Sequence, residues 1–337
     1  MRSVTDPASL RVAEEHPVSR MHGILAGVTG RIGILGGSLE YTGAPYFVGT
    51  SALRCGADLA HVFCAREAAV PIKSYSPELI VHPAFRLEDL PDPCPQEYVS
   101  EAFERILPWI GRMDVFVVGP GLGRSSLAQG VAARLLEKLR QDGTPVVLDA
   151  DGLWLLTQHP ELLHDFPNAV ITPNVVEFRR LWDAAFPEGG DASEMRTDDL
   201  ESLVTATRAL SEQLGGVTIL RKGPRDLVYN GDSGDTVDLE GSPRRCGGQG
   251  DILSGLVATF LAWAKPTIRA AASNADAQES RAGAAVAAAA VVRRAGALAY
   301  EKKGRAMLTS DILAHVGEGF YSVFGREVDE MRLDEST

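Results

Sequence analysis

The sequence predicts an α/β fold of three α/β/α layers, with a mostly parallel central sheet and an antiparallel hairpin at one edge. Three observations carry this expectation. Short runs of Val, Ile and Leu alternate with stretches whose apolar residues recur at helical spacing. NG and SG turns divide the stretch after Lys222 into short pieces, as in a hairpin. Glycine-rich or acidic motifs directly follow the apolar runs, where open α/β sheets place their ligands.

In chain order, the runs GRIGILGG (30–37), DLAHVFC (58–64), ELIVH (78–82), DVFVVG (114–119), PVVLDA (145–150), AVITP (169–173) and VTILRK (217–222) are predicted strands. Strands in alternation with helices imply a parallel sheet with helices on both faces. The intervening segments 44–56, 126–141, 175–185 and 200–214 carry helical periodicity. Residues 266–283 are small and polar and are expected to form a loop inserted between two long helices. The organisation expected is an N-terminal extension (1–20), one domain over 21–325 and a C-terminal tail (326–337).

Composition narrows the function. At 45% hydrophobic and 23% charged, the 337 residues are ordinary globular material. The net charge of -12 argues against a nucleic-acid surface, which needs a basic face. A small anion remains compatible, because screening over ~8 Å lets local N–H groups and cations govern one pocket. Gly, Arg or Pro interrupts each apolar run before the ~18 residues of a membrane span, so no membrane partner is expected. The N-terminus lacks an apolar signal core, and a cytoplasmic location is expected, with a mitochondrial form left open. Cys55, Cys64, Cys94 and Cys246 have no metal spacing and read as reduced thiols.

Six motifs carry candidate chemistry. In GGSLEYTGAPY, the strand ends at Gly36-Gly37, and Tyr41, Thr42 and Gly43 precede a helix expected to begin near Pro45. Gly37, Tyr41, Thr42 and Gly43 form a candidate substrate loop, with Thr42 as a cap in the alternative reading. GPGLGR places Gly119, Gly121 and Gly123 before Arg124, but departs from the dinucleotide spacing G-x-G-x-x-G. In LDADG, Asp149 is a candidate for organising Mg²⁺, directly or through water, and Asp151 a candidate helix N-cap. PNVVEF offers Asn174 and Glu177 as a capping box, while Glu177 is also a candidate Mg²⁺ group. RKGPRD delivers Lys222 and Gly223 from a strand into a turn, beside phosphates or on a solvated edge. In RRCGGQGDILSG, three glycines crowd ahead of Asp251 and an apolar helix, a cradle for an anion.

Together and in this order, GGSLEYTGAPYFVGTSALRCGADLAHVF, GPGLGR, VVLDADGLWLL, ITPNVVEFRRL, LRKGPRDLV and CGGQGDILSG closely resemble the ribokinase-like superfamily, and within it the NAD(P)H-hydrate dehydratases. The resemblance covers about residues 20 to 320. It implies a ribokinase-like three-layer α/β/α fold and a hydro-lyase that returns hydrated NADH and NADPH (NADHX and NADPHX, S epimer) to the intact cofactors. The hydrate-binding positions it implies are Gly121, Asn174, Val175, Val176, Glu177, Phe178, Arg179, Arg180 and Asp251. Those implied for the nucleotide are Lys222, Gly223, Pro224, Arg225 and Asp226, then Gly241, Ser242, Pro243, Arg244, Arg245, Cys246, Gly247, Gly248, Gln249 and Gly250. Asp251 is the implied catalytic base.

Bacterial members carry a GTGD-type loop and use ADP, whereas the GGQGD form resembles eukaryotic members and implies ATP with Mg²⁺. A separate NAD(P)HX epimerase is implied as a functional partner, and a homo-oligomer stays open. The alternative is a small-molecule, vitamin-type kinase of the same fold, against which NVVEF and the YTGAP loop argue.

Overall fold

A computed structural model describes residues 2–4, 30–87, 91–188, 199–229 and 234–325. The apolar runs become β2 (Arg31–Leu35), β3 (Leu59–Ala65), β4 (Leu79–Phe85), β5 (Val115–Val118), β6 (Val146–Leu148), β7 (Ala169–Ile171) and β8 (Thr218–Arg221), each bonded in parallel to its neighbours in the order β8-β7-β6-β5-β2-β3-β4. The hairpin of β9 (Asp226–Tyr229) and β10 (Gly234–Val237) continues the sheet antiparallel from β8. The backbone of β1 (Arg2–Val4) adds a parallel strand outside β10, within the segment expected as an extension. The rest of that extension and the tail lie outside the described residues.

Alternation along the strands separates two cores. Ile32, Ile34, Val115 and Val117 face one way, against α1 (Gly43–Cys55), α8 (Gln249–Ala270) and α9 (Asn274–Lys303). Leu35, Phe116, Val118 and Ile171 face the other, against α3 (Gln96–Ile110), α4 (Ser126–Asp142), α5 (Asp151–Gln158), α6 (Val175–Ala185) and α7 (Leu200–Gln213). The short α2 (Arg66–Tyr75) joins the first layer through Ala68, Ala69 and Ile72, and α10 (Thr309–Ala314) and α11 (Val316–Phe324) close it over α9. All four cysteines are free, and burial pushes the Cys64 thiol up to about 12.

Three expectations change. The loop expected at 266–283 is mostly helix: α8 runs through Pro266 to Ala270, and α9 starts at Asn274, capped by Ser273 Oγ on the Asp276 N–H. Alanine's helix propensity prevails over the small, polar texture there. Helices α2 and α3 fall outside the sequence expectation, and each contains a proline, Pro71 and Pro108. Finally, the helix Asn274–Ala306 is long and apolar enough by composition to cross a membrane, yet 78% of its apolar window is buried inside the fold. Its all-round burial against the sheet, α8 and α11 accounts for that composition.

Candidate active site

The carboxyl ends of β2, β5, β6, β7 and β8 converge on one side of the sheet, and the motifs sit there. β6 is followed at once by Asp149, which is 2% exposed. Both its carboxylate oxygens are engaged: Lys222 Nζ donates to Oδ1 at 2.7 Å, the Ala150 N–H to Oδ1 at 2.9 Å, and Ser254 Oγ to Oδ2 at 2.6 Å. The next residue, Ala150, takes φ 50°, a backbone conformation that non-glycine residues adopt at a cost of about 1–3 kcal/mol. The turn packs so closely on the end of β5 that a Cβ at Gly119 (φ 121°) would lie 2.0 Å from the Asp149 carbonyl oxygen.

Lys222, immediately after β8, draws the charges together. Its N–H donates to the Pro173 carbonyl at 2.8 Å, and its Nζ lies 3.9 Å from Glu177 Oε2. Burial pulls the ammonium's pKa down, but Asp149, Glu177 and Asp251 outweigh burial and hold it above the ordinary lysine value. Burial also pushes Glu177 up, with Lys222 opposing and Asp149 adding to the rise. At the start of α6 the capping box forms in full: Asn174 Oδ1 accepts from the N–H groups of Val176 and Glu177, and Glu177 Oε2 accepts from the Asn174 N–H.

Asp251 completes the cluster from the first turn of α8. It accepts no hydrogen bond among the described residues, and burial, then Asp149 and Glu177, push its carboxyl up to about 7 against the pull of Lys222. The loop before it turns on Gly248, whose φ of 96° suits glycine and whose Cβ would press on Phe47 at 3.0 Å. Thr309 Oγ1 donates to the Gly247 carbonyl at 2.6 Å, and the Cys246 thiol to the Met307 carbonyl at 3.4 Å, so the stretch around α10 fixes the loop from outside. Among the described backbone groups, the N–H groups of Gly248, Gly250 and Asp251 have no acceptor. They stand at the positive end of a 22-residue helix, beside Lys222: a Cβ on Gly250 would lie 3.3 Å from its Nζ.

This is the arrangement of an anion cradle with an unengaged carboxylate inside it, and sequence comparison gives it a family. A family model described as NAD(P)H-hydrate dehydratase matches residues 32–317. The chain belongs to this family. The ATP-dependent (S)-NAD(P)H-hydrate dehydratase of Rattus norvegicus is 46% identical to it over 298 residues, covering 88% of this chain and 80% of that one. The protein of the same name from Schizosaccharomyces pombe is 40% identical over 307 residues, covering 90% and 89%.

Solved structures share the fold of this hydrate dehydratase family member. A ribokinase-like superfamily protein of Enterococcus faecalis superposes with a TM-score of 0.65 at 21% identity, over 96% of this chain and 97% of that one. An ADP/ATP-dependent NAD(P)H-hydrate dehydratase of Bacillus subtilis, co-crystallised with ATP and Mg²⁺, gives 0.54 at 18% identity, over 93% and 97%.

The geometry redistributes several expected roles. Phe178 is 2% exposed, and its side chain packs in the core beside Trp182, one turn further along the same buried face of α6, instead of facing the cleft. Arg179 lies 3.6 Å from Asp183 on the helix exterior, whereas Val175 and Val176 are exposed. Asp149 accepts two donors on Oδ1, from Lys222 and the Ala150 N–H, and one on Oδ2, from Ser254, so only one acceptor position of Oδ2 is left open to a metal or its water. Asp151 is not an N-cap: it lies inside α5, and its carboxylate reaches the GPGLGR loop, accepting from the Gly123 N–H at 2.9 Å and Arg124 Nε at 3.2 Å.

Asp226 is likewise taken up, by the Gly223 N–H at 3.0 Å and Arg293 Nε at 2.7 Å, and Arg225 pairs with Asp238 at 3.2 Å. Thr42 Oγ1 lies 2.8 Å from Tyr75 Oη instead of capping α1, which begins at Gly43. Gly37 donates its N–H to the Pro120 carbonyl, and a Cβ on Gly121 would stand 2.6 Å from the Tyr41 carbonyl oxygen, so the GGS and GPGLGR loops form one surface. Arg244 donates its N–H to Ser242 Oγ at 3.0 Å, folding the 241–245 loop on itself.

Two contributors are not among the residues that the sequence singled out. Ser254 is one helical turn beyond Asp251, a spacing that signals a shared face of α8. Arg293 of α9 donates to Asp226, to the Gly223 carbonyl at 2.9 Å and to the Leu239 carbonyl at 3.1 Å, fastening the Lys222 turn to the strand before the 241–250 loop.

Proposed function

We propose that the chain dehydrates the S epimers of NADHX and NADPHX to NADH and NADPH, converting ATP to ADP and phosphate. The observation that carries this reading is Asp251: an unengaged carboxyl pushed to about 7, set in a helix N-terminus beside a buried ammonium. The hydroxyl on C6 of the hydrate is a poor leaving group. In the proposed reaction its oxygen attacks the γ-phosphorus of ATP, its proton passes to Asp251, and ADP departs. The C6–O bond then breaks with phosphate as leaving group, pushed by the lone pair of the ring nitrogen, and loss of the C5 proton restores the dihydropyridine.

Each residue has a physical task. A base that titrates near 7 is partly ionised at neutral pH and still basic enough to accept the hydroxyl proton as it is released. The N–H groups of Gly248 and Gly250, with the Lys222 ammonium, are placed to hold the charge of the phosphates. Asp149 and Ser254 keep that ammonium charged and aimed. Arg293 holds the Gly223 turn so that the Lys222 backbone does not drift.

The residues fit a Mg²⁺ ion carried by phosphate. An ion carried by a nucleotide is held by one or two carboxylates, phosphate oxygens and water, without an all-protein cage. Glu177, with one oxygen outside the capping box, is the carboxylate that would face it. Bound there, Mg²⁺ would neutralise the charge of the triphosphate.

Because only the S epimer is consumed, a separate epimerase that interconverts the two epimers would complete the repair. The test is direct: purified protein with NADHX, ATP and Mg²⁺ should restore the absorbance of reduced nicotinamide and release phosphate. No recovery with ATP or with ADP overturns the reading, and a stable phosphorylated product would assign the chain to the small-molecule kinases.

A further inference from the structure

Beyond the Asp149–Ala150 turn from the phosphate cradle lies an open cleft with about 410 Å³ of empty space, lined by Arg124, Asp151, Trp154, Thr157, Glu177 and Arg180 among others. It adjoins the charge cluster through Glu177, which lines it and also stands 3.9 Å from Lys222.

Arg124 in this cleft is prepared for a ligand. Its guanidinium lies 4.3 Å from the centre of the Trp154 ring, and its Nε bonds to Asp151 Oδ1 at 3.2 Å. Asp151 is itself fixed by the Gly123 N–H, and Gln129 Nε2 holds the Gly123 carbonyl at 2.6 Å. A stacked and tethered guanidinium loses little conformational freedom when it binds. Yet only Nε is engaged: the two terminal nitrogens have no acceptor among the described residues, and the side chain is 52% exposed. Arg180 also lines the cleft and forms no ion pair among the described residues. Asp151 and Glu177, the two acids here, are already committed to backbone N–H groups.

Two available guanidinium groups in one concavity of a chain with net charge -12 mark a place for a polyanion. The triphosphate has its own cradle at Gly247–Gly250. The anion that both dinucleotide substrates bring is the pyrophosphate between their two nucleosides. We propose that this cleft binds the pyrophosphate of the hydrate, with Arg124 as its principal ligand and Trp154 as the platform that aims Arg124. This rests on the dehydratase reading and extends its substrate site to Arg124 and Trp154, which are not among the hydrate-binding positions carried over above.

The test uses the full chain with Arg124→Gln, which keeps the Asp151–Gly123 bond. The expected result is a KM for NADHX raised tenfold or more, with kcat and the KM for ATP within about twofold of the unsubstituted protein, since a charge-assisted bond to phosphate is lost from binding alone. Arg124→Lys should recover part of the loss, because charge returns without the fork. An unchanged KM for NADHX, or a rise in the KM for ATP instead, overturns the proposal. A second arm titrates ADP-ribose, which carries the pyrophosphate but no nicotinamide, into protein saturated with a non-hydrolysable ATP analogue and Mg²⁺. Binding that weakens tenfold in Arg124→Gln supports the cleft, and no binding to the unsubstituted protein overturns it. This arm reads the cleft even if the unsubstituted protein fails to dehydrate NADHX, an outcome that counts against the dehydratase reading itself.

Discussion

Asp149 and Asp251 stand at the same end of the sheet, within the field of one ammonium, and have opposite surroundings. Asp149 is buried and receives three donors, from Lys222, Ser254 and the Ala150 N–H. Asp251 receives none among the described residues, and burial with its acidic neighbours pushes it to about 7. The difference shows what separates a structural carboxylate from a reactive one in the same cluster. Donors fix the charge and geometry of the first, while their absence leaves the second free to exchange a proton.

The contrast breaks most severely at Lys222. Lys222→Met leaves Asp149 buried beside Glu177 without its cation, and removing one partner of a buried pair costs about 3–5 kcal/mol. Chemical denaturation should show a loss of this size. A loss below about 1 kcal/mol would mean that Asp149 is as accessible to water as an ordinary surface acid and that the comparison is misdrawn.

Asp251→Asn tests the other side. The substitution removes the base but no hydrogen bond, so the fold and the affinity for ATP should persist while kcat falls by ~10²-fold or more. Near-normal turnover would reduce Asp251 to a residue that complements the helix dipole. Steady-state rates with NADHX, paired with a direct titration of nucleotide, separate the two.

Much of this contrast was legible in the sequence, and the remainder was hidden for identifiable reasons. The parallel strands announced themselves because strands covered on both faces must be apolar throughout, as in VFVV and AVI. The capping box at Asn174 and the glycines ahead of Asp251 were visible because their chemistry is local. What could not be read was where each acid's partners come from. Asp149 meets Ser254 across 105 residues, and Asp151 meets Gly123 across 28. Ser254 and Arg293 lie in long helices whose apolar or alanine-rich texture conceals a single polar residue aimed at the site. The burial of the Phe178 side chain was hidden because a motif gives positions along a chain, whereas helical rotation decides which of them face a cleft. The 266–283 segment was misread because alanine with small polar residues suits an exposed helix as well as a loop.

The last expected effect concerns the pH dependence of stability, and it has a definite sign. The carboxyl of Asp251 moves from an ordinary value of 3.8 to about 7 on folding. Between those two values the folded chain binds more protons than the unfolded one, so this residue makes stability fall as pH rises, and the loss is complete once pH exceeds about 7. Asparagine escapes that loss. The Tm of Asp251→Asn should therefore exceed that of the unsubstituted protein by a margin that widens from pH 5 to pH 8 and then levels off. The same ionisation should appear in kcat/KM for NADHX, rising through about 7 as the base form accumulates. A margin that is flat or shrinks with pH would show that Asp251 ionises as an ordinary exposed aspartate does, and its separation from Asp149 would then need another cause. Coincidence of the two midpoints would tie the stability cost of an undonated carboxylate to the reaction it serves.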